Sequence, residues 1–182
     1  MIVPILRPDQ KLPREWKKFM SSSMNTTSLV DFLCQQWRAP GFAPALHHRS
    51  LFLCHSHECM KRTSYDSLVV TADDIPSLTC HQEEVDTCLF LHALHAAQNG
   101  HNAIIVKSPD AHVAAIGCSL ADQIPAELIW PSGSRLRQRY VSLSEIASAL
   151  GPGVCEALPG MHAFTGCDST SAFAGKGKKS SI

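Results

Sequence analysis

Apolar positions along the chain change period several times, and the changes mark the elements. From Arg14 to Trp37, Trp16, Phe19 and Met20 and then Leu29, Val30, Phe32, Leu33 and Trp37 recur at helical spacing. The clusters Ser21-Ser22-Ser23 and Asn25-Thr26-Thr27-Ser28 interrupt them, which predicts two helices with a capped second start. Met1 to Leu6 is apolar but broken by Pro4, a remnant strand at most. Ala39 to Pro44 is a loop; Ser50 to Cys54 and Ser67 to Thr71 are short strand candidates. Glu83 to Gln98 reads as a helix, with acids in its first turn, Ala and Leu in its body and Asn99-Gly100 at its end. The run Asn102 to Lys107 follows, holding Ile104, Ile105 and Val106 and stopping at Ser108-Pro109-Asp110. Three β-branched residues in succession predict a strand buried on both faces, as inside a parallel sheet. Beyond it come an apolar segment, Val113 to Leu120, and a turn-rich stretch, Pro125 to Gly133. Ser142-Leu143-Ser144-Glu145 is a capping-box start for a helix ending at Gly151, and a second short helix is expected around Val154 to Leu158.

This order predicts an α/β fold with a mostly parallel central sheet flanked by helices. Asp110 then falls at the carboxyl edge of the central strand, where open α/β sheets bind ligands. An N-terminal helical segment, residues 1–45, is expected to precede the main domain, residues 46–182.

Composition narrows the function classes. The chain has 182 residues, 45% of them hydrophobic, 18% charged, with zero formal net charge. A broad basic surface is therefore absent, so any contact with nucleic acid must come from a local patch. The apolar runs are shorter than the ~20 residues of a membrane span. Eight cysteines without a secretory leader pattern are expected to be reduced thiols in a soluble intracellular protein. Cys54, His57 and Cys59, with Cys80 or His81, suggest a zinc-stabilised module, but no paired Cys-x2-Cys units are present. Buried cysteines beside surface histidines is the simpler expectation.

The chemistry-bearing residues fall in three acidic groups. Glu83, Glu84 and Asp86 open a helix, Asp110 ends a strand, and Asp168 follows Gly166-Cys167. Carboxylates converging from such places hold hard divalent ions, which activate water and neutralise a leaving oxygen in phosphodiester cleavage. Glu83 and Asp86 share a helical face, whereas Glu84 and Asp86 do so only if the first turn is loosened. Taken singly, each acid is more simply a dipole partner or a turn former. Their order along the chain is what favours a site.

That order, Glu84-Val85-Asp86, Ser108-Pro109-Asp110 and Gly166-Cys167-Asp168 leading to Gly175-Lys176-Gly177, resembles the PIN-like flap-endonuclease superfamily. The phrases His81 to Thr87 and His162 to Thr170 resemble more closely animal open reading frames associated with repetitive elements. The resemblance covers about Thr79 to Lys179. It implies Glu84, Asp86, Asp110 and Asp168 as catalytic metal ligands, with Glu83 auxiliary, around two Mg²⁺ or Mn²⁺ ions. It also implies a C-terminal helix-hairpin start in which Gly175, Lys176, Gly177, Lys178 and Lys179 meet the backbone of DNA or RNA, with a nuclear site of action. Two departures stand out. His112 occupies the place of the family's second strand-end acid, and neither Asp9 nor Asp31 suits the family's N-terminal acid. The expectation is a partial, nuclease-like protein with weakened or lost cleavage. The alternatives are a catalytically silent remnant that binds nucleic acid or protein, and the zinc module.

Overall fold

A computed structural model describes residues 7, 9–11, 13–46, 48–55, 58–63, 71–79, 85–133 and 137–165. The chain forms two compact units, Met1–His81 and Gln82–Ile182.

In the first unit, helix α1 (Trp16–Met20) is followed by α2 (Ser23–Arg38) and the short α3 (Ala43–Leu46). The two helices expected here form, but α2 starts earlier than the second polar cluster suggests. Asn25 is buried inside its first turns and donates from Nδ2 to the Phe19 carbonyl at 3.1 Å, tying α2 back onto α1. Strands β1 (Ser50–His55), β2 (Glu58–Thr63) and β3 (Thr71–Asp74) make an antiparallel sheet in that order. The β1 strand matches the expected Ser50–Cys54 segment, whereas residues 67–70 of the other candidate lie outside the described residues.

The second unit runs α4 (Val85–Gln98), β4 (Ala103–Ile105), α5 (Ala111–Leu120), β5 (Glu127–Ser132), β6 (Arg139–Ser142), α6 (Leu143–Leu150) and α7 (Pro152–Phe164). Strand β4 pairs parallel with β5, and β5 pairs antiparallel with β6. This overturns the expected mostly parallel central sheet, for there are two three-stranded sheets, one wholly antiparallel and one mixed. It also corrects the placement of β4, which lies at one end of its sheet order with Ile105 59% exposed. A run of β-branched residues signals extended, apolar backbone but not how many faces are covered.

Packing in this unit centres on α5. Val113, Ile116 and Cys118 from α5 join Phe90 and Ala93 of α4, Leu128 of β5, Leu143 and Ala147 of α6 and Cys155 of α7 in one buried cluster. Gly117 lets this helix sit close: a Cβ there would fall 2.5 Å from Leu143 Cδ1 and 3.1 Å from the Phe90 ring. The Ser142 cap of α6 is as expected, its hydroxyl accepting from Glu145 N at 3.2 Å. Helix α7 is longer than expected and continues through Pro159, with its Cys155 buried in the cluster.

Candidate functional site

The connection between β4 and α5 is a chain of local hydrogen bonds. Trp130 Nε1, from β5, donates to the Ser108 carbonyl at 3.0 Å and pins the segment to the neighbouring strand. The Ser108 hydroxyl accepts from Asp110 N at 3.2 Å, and Asp110 Oδ1 accepts from His112 N at 2.9 Å. Asp110 is thus the N-cap of α5, with extended backbone and a carboxylate satisfying one of the helix's unpaired amides. This cap uses one carboxylate oxygen, so the other can still serve as a ligand.

His112 is the second residue of α5 and half-buried. Its ring packs against that of His162 near the end of α7, with centroids 4.7 Å apart and planes inclined by 35°. Its Nδ1 is buried without a hydrogen-bond partner among the described residues. Helix α7 ends at Thr165, whose hydroxyl donates back to the Met161 carbonyl at 2.9 Å. The His112–His162 contact thus brings the last turns of α7 against the first turn of α5.

Asp86 stands in the first turn of α4. Helix α4 packs on β4 and α5 and reaches β4 through the short turn around Gly100, whose φ of +88° suits glycine. Helix and strand consequently run in opposite senses. From Asp86 to Gln98 the helix rises about 18 Å, and the chain from Ala103 to Asp110 covers at most about 25 Å. The start of α4 and the start of α5 thus belong to the same end of this unit. Glu83, Glu84, Asp168, Gly175, Lys176, Gly177, Lys178 and Lys179 lie outside the described residues.

The electrostatics set a condition on any metal here. A helix N-terminus carries roughly half a positive charge, which favours an anion over a cation. One carboxylate barely offsets it, so a divalent ion at Asp110 needs further acids. Midway along α4, burial and then the neighbouring His95 hold His92 below its ordinary value.

In the first unit, Cys54 of β1 and Cys59 of β2 are direct cross-strand partners, Cys59 buried and Cys54 exposed. Desolvation, followed by the hydrogen bond with Cys59, pushes the Cys54 thiol up to about 12, and burial also raises Cys59. Asp31, a poor fit for the N-terminal acid, is engaged elsewhere, 2.7 Å from His55 Nε2. His57, Cys80 and His81 lie outside the described residues. In the second unit Cys118 and Cys155 are core thiols that donate to the Leu143 and Ala147 carbonyls, while Cys88 is disulfide-bonded, unlike the reduced state expected.

Three residues around Asp110 carry no role in the sequence reading. Ser108 lay within a recognised phrase, and His162 opened another, but neither had a partner visible in one dimension. Trp130 sat in a stretch that looked like turns. No family model matches the chain, and neither a curated protein nor a solved structure matches it. No helix among the described residues is long and apolar enough to cross a membrane.

Proposed function

We propose that the second unit carries a nuclease-like site for divalent metal and phosphodiester substrates, centred on Asp110. The observation that carries this reading is the contact of His112, two residues after Asp110, with His162 near the end of α7. Asp86, in the first turn of α4, is assigned to the same site because α4 packs on β4 and α5. In this reading Asp110, Asp86, Glu84 and Asp168 hold Mn²⁺ or Mg²⁺, with Glu83 auxiliary. The bound ions supply Lewis acidity and an activated water. Gly175 to Lys179 meet the DNA or RNA backbone, and the place of action is intracellular and nuclear.

His112 makes this a weak site. An imidazole in place of a second carboxylate removes a negative charge and favours Mn²⁺ over Mg²⁺. The rival reading, a silent remnant that binds nucleic acid or protein, is favoured by the packing of that imidazole against His162. Cleavage of labelled single-stranded DNA and RNA, with Mn²⁺ as the only divalent ion, separates the two. Feeble cleavage by the wild type, absent in Asp110→Asn and stronger in His112→Asp, is the expected outcome. Equal cleavage by the wild type and Asp110→Asn refutes the site, and no cleavage by any of the three leaves the silent reading standing.

A further inference from the structure

We propose that the Cys54/Cys59 pair of the β1–β2 hairpin is a two-thiolate site for a borderline-soft divalent ion of the Zn²⁺ class. It is independent of the carboxylate site and uses residues that site leaves idle.

The strand register sets the pair. Cys54 and Cys59 are opposite one another, and the Cys59 carbonyl accepts from Ile75 N at 2.8 Å. Within an antiparallel strand a residue's N–H and C=O point the same way, so the Cys59 peptide faces the third strand and not β1. Cys54 and Cys59 therefore form a non-hydrogen-bonded pair, the kind in which facing side chains lie closest. Both side chains project from one face of the sheet.

The separation of the sulfurs suits a metal. They lie within 4.8 Å of each other, and neither is in a disulfide. Two thiolates on a tetrahedral Zn²⁺, each about 2.3 Å from it, stand about 3.8 Å apart. A disulfide would require them to close to about 2.05 Å. Thiolate donors select Zn²⁺ and softer ions over Mg²⁺ or Ca²⁺.

Surroundings define the rest of the coordination. Cys59 is 3% exposed and Cys54 is exposed, so the pair opens to one side. His55 does not contribute: it stands on the opposite face of β1 from Cys54, with its Nε2 held by Asp31. The remaining positions fall to solvent on that open side.

Titration of the reduced full chain with Co²⁺ tests this. One equivalent is expected to give a thiolate-to-metal charge-transfer band and tetrahedral visible bands, both bleached by Zn²⁺. Cys54→Ser, at an exposed position, is expected to abolish the charge-transfer band or lower the affinity at least tenfold while the circular dichroism stays unchanged. Asp110→Asn is expected to leave the band intact, which separates this site from the carboxylate one. A band that persists undiminished in the Cys54→Ser/Cys59→Ser double variant, or no Co²⁺ uptake by a wild type with both thiols titrated as reduced, overturns the proposal.

Discussion

Asp110 caps α5 and, in the proposed site, is also a metal ligand, and two substitutions at this position separate the roles. Asp110→Ala removes the acceptor for His112 N, now met at 2.9 Å. Loss of such a cap costs about 1 kcal/mol, and loss of the carboxylate's interaction with the helix dipole adds about 0.3–1 kcal/mol. Asp110→Asn keeps an oxygen in the capping position and loses only the charge. The alanine variant should therefore lose about 1–2 kcal/mol, and the asparagine variant less than about 1 kcal/mol. With a denaturant slope of about 1–2 kcal/mol per molar urea for a unit of this size, the alanine midpoint falls by roughly 1 M and the asparagine midpoint by half that or less. Urea unfolding followed by circular dichroism in metal-free buffer reads the difference. Equal losses would refute the cap geometry, and with it the orientation assigned to the carboxylate. The asparagine variant is then the proper control for metal binding, since it subtracts the ligand's charge without unwinding α5.

The remaining predictions concern packing and protonation. Leu128→Ala empties a fully buried position in the middle strand of the mixed sheet, and urea unfolding should show a loss of about 2–5 kcal/mol. Gly117→Ala gains about 1 kcal/mol of helix propensity but drives a methyl into Leu143 and the Phe90 ring. Overpacking costs about 1–3 kcal/mol, so the variant should be less stable than the wild type; a rise in stability would mean that α5 shifts freely. His92 is held below 6.5 in the folded chain by burial and then by His95. Below about pH 6.5 the unfolded chain takes up a proton that the folded one refuses, so stability falls as the pH drops through that value. His92→Gln should flatten the fall in a series of urea midpoints between about pH 7 and pH 5.

Much of the local structure was legible because helical periodicity and end signals agree. Helix α6, with Ser142 before it and Gly151 after it, is the clearest case. Helix α7 was underestimated because Pro152, Gly153, Pro159 and Gly160 read as breakers; packing of Cys155 and its neighbours on α5 and α6 holds the helix together regardless. Strand β5 was hidden by Pro131 and by the glycine and serine that follow, although Leu128 is fully buried. The parallel sheet was inferred from the apolarity of Ile104 to Val106, which carries no information about strand partners. At the site, Asp110 was visible as an acid after a strand, but its role as the cap of the following helix was not drawn from the equally apolar Val113 to Leu120. The contact between His112 and His162 joins residues far apart in sequence, and no periodicity encodes it.

The proposed divalent-metal site stands or falls with Asp110. Calorimetric titration of Mn²⁺ into the wild type, Asp110→Asn and His112→Asp tests it most directly. The expected result is saturable binding by the wild type, loss of that binding in Asp110→Asn, and at least tenfold tighter binding in His112→Asp. Binding that is the same in all three, or absent from all three while each remains folded, would contradict it.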